Sequence, residues 1–343
     1  MILGSAVFAL YIYFSIGIDK LLTVFENLNF YAFLFFYALS FVTMLLTMLT
    51  WTISWRELLK ALSIELSVKR TFLYYCAGDF VDRIIPSPGV AGELTRAYFI
   101  QRETRSGYGV ILAAGITNRI VSYGVVVSGL SVGIVFLLLT EAIPAFASGL
   151  LLVVWLGALA LFVLLSFVSL KENAAERLVL LLVKIFKVLR IQRDVEGFTE
   201  RTYRFLSRFR DSFKFYGANP YYLVGPIIFN AVSFMLNLVV YVLVFYALGF
   251  PNLPVDFFIV VYFLSGAVQD GFAAFSVGGL EILLTSIFIL YGIPAAASGV
   301  AAVVLRIVIF YFPLISGYLF IQAIGARKVL TSDAMKEVET EQQ

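Results

Sequence analysis

The strongest constraint on this chain is the length of its unbroken apolar runs. Residues 29–51, 144–169, 221–248 and 294–323 each exceed the roughly 20 apolar positions a helix needs to cross a bilayer. Inside hydrocarbon every backbone N–H and C=O must be satisfied within the protein, which leaves helices for runs of this length. The balance of residue types agrees: 61% of the chain is hydrophobic and 14% charged, against about 45–50% and 25% in a soluble domain. The fold class expected is an all-α polytopic membrane protein.

The same composition excludes several chemistries. There is no histidine, which removes the commonest general base and metal ligand. Cys76 is the single cysteine, so no disulfide forms within the chain, and it reads as a small buried residue. No phosphate-cradling glycine loop, nucleotide fingerprint or metal cluster is present, which argues against ATP-driven pumping. The apolar N-terminus lacks a basic leader, so residues 2–18 read as the start of a retained first span.

Charge distribution sets the expected threading. Eleven of the 25 Lys and Arg residues lie between Lys171 and Lys214, against six acids there. Arg56, Lys60, Lys69 and Arg70 follow the second apolar run, and Arg327, Lys328 and Lys336 sit near the C-terminus. By the positive-inside rule these segments are cytoplasmic. The chain then threads as six full spans, at about 3–24, 29–54, 107–139, 144–169, 220–248 and 294–324. Two further segments, 71–104 and 256–291, enter and leave on one side each, the first from the cytoplasm and the second from outside. Both termini are expected in the cytoplasm, in the plasma membrane. Residues 1–324 form one transmembrane domain, 171–215 a cytoplasmic amphipathic insertion and 325–343 a short polar tail.

The two dipping segments resemble each other. DRIIPSPGVAGE runs from Asp82 to Glu93 and DGFAAFSVGGLE from Asp270 to Glu281, with the acids 11 positions apart in both. Each is followed by a span with one interior arginine, Arg119 at 26 residues past Glu93 and Arg306 at 25 past Glu281. Repeats of about 29–139 and 220–324 in opposite orientations would make an inverted repeat, a recurrent design of secondary transporters. Pro86 and Pro88 would stop the first descending half-helix, Gly89 and Gly92 would let the chain turn, and the ascending half would begin near Gly92. Gly278 and Gly279 would serve the same purpose in the second hairpin. Between residues 216 and 325 the only charges are Asp256, Asp270, Glu281 and Arg306. Ionisable groups this rare inside a membrane are paired and functional by default. A plain helix–loop–helix with Glu93 at a helix start is the alternative, as is a purely structural salt bridge in each half.

The GE-containing hairpin with its arginine span, and GGLE followed by LR in the last span, resemble the flippase-like membrane domain of lysylphosphatidylglycerol synthases. Small stand-alone members of that superfamily are similar over nearly their whole length. The resemblance implies a lipid-translocating fold that moves a polar-headed phospholipid or a polyprenyl-phosphate-linked lipid between leaflets. Bifunctional members carry a soluble aminoacyl-transferase domain after the membrane part, whereas only residues 325–343 follow the last span here. Translocation without synthase activity is therefore the expectation.

The candidate substrate and ion site is then Asp82, Glu93, Arg119, Asp270, Glu281 and Arg306. The arginines suit phosphate oxygens, and the acids suit a basic headgroup, a coupling proton or sodium; no other cofactor is implied. A second basic feature is the insertion, where Arg177, Lys184 and Lys187 share one helical face and Arg201, Arg204 and Arg208 form another stripe. Such helices lie on the membrane surface and attract anionic lipid, although positive-inside bias alone accounts for much of this charge. The partners expected are anionic or phosphate-headed lipids and, through self-association, copies of the chain; nucleic acid is not among them. Trp51, Trp55, Tyr221 and Tyr222 read as an interfacial belt. Two other functions compete: a membrane-embedded transferase using Asp79, Asp82 or Glu93 as base, and a membrane partner subunit of a separate lipid synthase.

Overall fold

A computed structural model of the chain describes residues 28–85, 89–140, 145–170, 195–271 and 278–323, with scattered positions between 10 and 26. The described residues are helical, with no strand among them. The helices are α1 Phe30–Ala61, α2 Val68–Ile84, α3 Val90–Thr104, α4 Tyr108–Thr140 and α5 Ala145–Leu170. They continue as α6 Val195–Ala218, α7 Tyr221–Ala247, α8 Val255–Gly271, α9 Gly279–Leu290 and α10 Ala295–Arg306. A π-helical turn at Ile307–Tyr311 carries α10 onward, so that the apolar helix runs over Ala295–Ala323.

Among the described residues, four helices are long and apolar enough to cross a membrane: α1, α4, α7 and the extended α10. Two pairs are shorter. Helices α2 and α3 have 17 and 15 residues, and α8 and α9 have 17 and 12. At 1.5 Å per residue these reach roughly 18–26 Å, short of the hydrocarbon thickness of about 30 Å. Each half of the chain thus orders its helices long, short, short, long.

The break between α2 and α3 has a local cause. Ile85 is extended after α2, and Gly89 stands at φ +67° as the residue before α3. A side chain would be strained there, whereas glycine is not. The second break is built alike, with Gly278 at φ +89° ahead of α9. Helix α3 begins at Val90, earlier than the Gly92 start read from the sequence, because Gly89 makes the turn by itself.

Among the described residues, helices α1 and α7, the first of each half, form the most extensive pairing. One apolar core joins α1 and α7 to α8, α9 and α10, and a smaller one gathers the end of α1 with α3, α4 and α6. Trp55 belongs to that second core and is fully buried, while Trp51 is half-buried beneath the α2–α3 pair. The interfacial belt expected of these two residues is therefore packing, because α1 continues seven residues past 54 before it stops at Ala61. Cys76 is buried, as expected. The outer faces of α1, α7 and extended α10 keep Phe30, Leu34, Phe35, Ile228, Met235, Ile315 and Leu319 exposed, a surface suited to lipid tails and not to water.

A polar pin holds the long helices together. Ser54 Oγ on α1 donates to Asn118 Oδ1 on α4 at 2.6 Å, and Asn230 Nδ2 on α7 donates to both, at 2.6 and 3.0 Å. Interhelical side-chain bonds of this kind contribute about 0.6–2 kcal/mol each in a membrane. Asn230→Ala is expected to lower the thermal unfolding midpoint in detergent. An unchanged midpoint would remove the pin from the account of stability.

Candidate functional site

Four charged residues meet where α2, α3 and α4 converge. Glu93, in the first turn of α3, accepts from Arg96 Nη1 at 2.8 Å and from Arg119 Nε at 3.2 Å, both on its Oε1. Asp82, near the end of α2, accepts the Gly92 N–H at 2.7 Å and lies 3.5 Å from Arg96 and 3.7 Å from Arg119. Arg119 also donates to the Gly89 carbonyl at 2.8 Å, tying α4 to the turn itself. Small residues make room for the cluster. A Cβ at Gly92 would stand 2.0 Å from the Asp82 carboxylate, and one at Gly115 would stand 2.4 Å from Glu93 Oε2. Arg96 is flanked by the rings of Trp51 and Tyr75, 5.3 and 5.2 Å from their centroids, which suits a desolvated guanidinium.

The second half holds a simpler pair. Glu281 Oε1 accepts from Arg306 Nε at 2.8 Å, and its Oε2 accepts the Gly278 N–H at 2.6 Å, closing the start of α9. The Arg306 guanidinium lies 4.2 Å from the Phe310 ring centroid. The sequence spacing of 26 and 25 residues therefore does bring Glu93 to Arg119 and Glu281 to Arg306.

The two pairs differ in access. A cavity of about 870 Å³ opens among α1, α2, α3, α4, α5, α7, α8 and the extended α10, and Glu93, Arg119 and Arg83 are the charged residues that line it. The remaining wall is mostly apolar, from Leu130, Val154, Phe234 and Phe263, with Asn230 and Ser233 facing in from α7. Arg119 keeps 23% of its side chain exposed, against 1% for Arg306. Glu281 and Arg306 do not line this cavity.

A charged contact near the site also joins the halves. Arg83 on α2 pairs with Asp79 at 2.7 Å and donates to the Ile309 carbonyl at 3.2 Å, within the π-helical turn. Its guanidinium lies 5.4 Å from the Phe310 centroid, so Phe310 is shared by Arg83 and Arg306. Pro313, four residues past Ile309, has no N–H to give that carbonyl, and Arg83 donates to it.

Of the other sequence candidates, Pro86, Pro88, Arg177, Lys184 and Lys187 lie outside the described residues. Asp270 falls in the last turn of α8, and Arg201 and Arg204 in α6, with side chains outside the described set. Gly279 opens α9, and Arg208 packs over Gly107. Sequence reasoning missed Arg96 and Arg83. Arg96 was available from its i,i+3 spacing to Glu93, but in sequence it reads as one of the basic residues leading to Arg102 and Arg105.

The family described as the lysylphosphatidylglycerol synthase TM region matches residues 1–317. The chain belongs to this family. It is an integral membrane protein by that membership and by its apolar helices. UPF0104 membrane protein PH1989 of Pyrococcus horikoshii is 21% identical over 311 residues, covering 87% of this chain and 89% of that one. UPF0104 membrane protein MJ1595 of Methanocaldococcus jannaschii is 27% identical over 120 residues, covering 35% of this chain and 34% of its own. No solved structure matches the chain significantly.

The geometry ranks the two arginines. Arg306→Ala leaves Glu281 as a buried carboxylate without its cation, a loss of about 3–5 kcal/mol. Arg119→Ala leaves Glu93 bound to Arg96 and should cost less. Thermal unfolding of the purified variants in detergent checks the order, which fails if Arg119→Ala is the less stable of the two.

Proposed function

We propose that this family member moves a polar-headed lipid, a phospholipid or a polyprenyl-phosphate-linked lipid, between leaflets without covalent chemistry. The observation that carries the reading is the cavity lined by the charged groups Glu93, Arg119 and Arg83 and by an otherwise mostly apolar wall. A lipid has that same division, and so few polar groups converging in an apolar pocket are what a ligand site requires. Arg119 presents a planar donor fork at the cavity edge, which suits the oxygens of a phosphate. Glu93 beside it suits a basic headgroup or a coupling ion.

The proposed topology has six spans, with α2–α3 and α8–α9 as re-entrant hairpins of opposite orientation, and both termini in the cytoplasm of the plasma membrane. The matching order of long and short helices, the glycine turns at Gly89 and Gly278, and the α1–α7 pairing support an inverted repeat. Exposed backbone at a hairpin tip is tolerated at membrane depth where it lines a cavity, and Gly89 does line one. Alternating access would then rock one hairpin against the other, driven by an ion gradient or by downhill movement of lipid. Partners in this reading are anionic or phosphate-headed lipids, with Arg208 and its helix near the membrane surface.

The test is leaflet exchange in proteoliposomes with fluorescent phospholipid and polyprenyl-phosphate analogues. A hydrogen bond to a charged group is worth about 1.5–3 kcal/mol, so Arg119→Ala should slow exchange by roughly 10- to 100-fold while remaining monodisperse. A well-folded wild-type protein that moves none of these analogues would sink the proposal.

A further inference from the structure

Arg119 has a donor to spare. It gives Nε to Glu93 and Nη2 to the Gly89 carbonyl, and its Nη1 makes no hydrogen bond among the described residues. Nη1 can therefore meet a phosphate oxygen while the Glu93 contact stays in place. The groups beside Arg119 then decide which phosphate esters fit.

On α4, Arg119, Ser122 and Val126 share one helical stripe along the cavity, and on α7 so do Asn230, Ser233 and Asn237. The Asn118–Asn230 bond at 3.0 Å and the approach of Phe234 to Gly129 show that the two helices run in the same direction. Ser122 lies about 4.5 Å along the axis from Arg119, and Asn237 about 10 Å from Asn230. Both therefore stand beyond the charged cluster, on the same side of it.

These two side chains differ from their neighbours. Asn230 is bonded to Ser54 and Asn118, and Ser233 donates to the Thr47 carbonyl. Ser128 and Ser131, further along α4, each donate to a carbonyl of their own helix at 2.8 Å. That is how a serine in an apolar helix is ordinarily satisfied. Ser122 and Asn237 make no hydrogen bond among the described residues, although both line the cavity. A hydroxyl and an amide left unmet in apolar surroundings are costly, so their partner comes from inside the cavity.

The partner's chemistry follows from charge. Glu93 is the only carboxylate among the described lining residues, and it already holds Arg96 and Arg119. A headgroup ammonium would find no unpaired carboxylate there, and the guanidiniums of Arg83 and Arg119 would repel it. Uncharged hydroxyls both donate and accept, which matches a serine and an asparagine. Resting on the lipid reading above, we infer that Ser122 and Asn237 form a neutral subsite beside Arg119, and that the lipid taken is a phosphate ester of an uncharged polyol or sugar. The phosphate meets Arg119 Nη1, and the hydroxyls reach along α4 and α7 to Ser122 and Asn237.

The test is calorimetric titration of the wild-type protein in detergent with dioctanoyl phosphatidylinositol, phosphatidylmethanol and phosphatidylethanolamine. The first two carry the same charge and differ in headgroup hydroxyls. Phosphatidylinositol should bind about tenfold more tightly than phosphatidylmethanol, as two neutral hydrogen bonds allow, and more tightly than phosphatidylethanolamine. Ser122→Ala and Asn237→Leu should each weaken phosphatidylinositol more than phosphatidylmethanol, so that the ratio narrows. A merely structural role would move both lipids alike. Arg119→Ala should weaken both and keep the ratio. Equal wild-type affinity for phosphatidylinositol and phosphatidylmethanol would mean that water meets the two side chains. That result, or tighter binding of phosphatidylethanolamine, overturns the inference and leaves the lipid-transport reading intact. Inositol 1-phosphate competing as well as the lipid would make the ligand a soluble ester and overturn both, as would a wild type that neither binds nor moves any lipid. The wild-type ratio does not depend on the folding of any variant.

Discussion

A single carboxylate oxygen, Glu93 Oε1, holds two arginines from different helices, and the first half of the molecule is arranged around that fact. Charges are costly in an apolar chain, and they persist only where partners and hydrogen bonds meet them. Arg96 brings the partner from within α3, three residues on, and Arg119 brings it from α4. Asp82 completes the group from α2 and fastens the Gly92 N–H at the exposed start of α3. The helix break, the glycine-lined space and the aromatic flanks of Arg96 are the conditions under which these four groups can be buried together.

The two halves answer the same electrostatic problem to different degrees. In the second half Glu281 satisfies Arg306 and its own helix start, Phe310 covers the guanidinium, and the pair is sealed. In the first half Arg119 remains partly open to the cavity. A sealed ion pair contributes order but cannot exchange its partner for a ligand. An open one can. The likeness between the halves is in their framework, and the difference lies in whether the ion pair meets the cavity. Arg83 also links them, because Pro313 has no N–H for the Ile309 carbonyl, which accepts from this donor of the other half.

Much of this was legible in the sequence because it depends on local or strongly constrained features. Long apolar runs can only be helices in lipid, and α1, α4, α7 and extended α10 fall on or within such runs. Glycine at a positive φ marks both breaks, and the acid-to-arginine spacings pointed to the right pairs. The illegible parts depend on packing between distant segments. Ser54, Asn118 and Asn230 carry no periodic signal, and only the approach of α1, α4 and α7 makes them partners. Arg83 serves a carbonyl 226 residues away, a pairing that exists only because α2 packs against the last helix. Trp55 looked interfacial because it stands near the end of an apolar run, yet the helix continues beyond it and the ring is enclosed by α3 and α4.

The polar pin also bears on which part of the cavity wall can shift. Asn118 precedes Arg119 directly, and through it α4 is bonded to both α1 and α7 in a buried network. Moving α4 would break several interhelical bonds at once and leave their polar groups in an apolar surrounding, each at a cost of about 1–3 kcal/mol. The α2–α3 pair is held to α4 at the site by side-chain contacts from Arg119 to Gly89, Asp82 and Glu93, and to the last helix by Arg83. Each of those contacts is made by an arginine, whose donors can turn to another acceptor, whereas the amide network is buried and has no such substitute. In the proposed lipid reading, a ligand would act on the hairpin's fastening and leave α4 as the fixed reference, with Arg119 presented from the more firmly bonded side of the cavity.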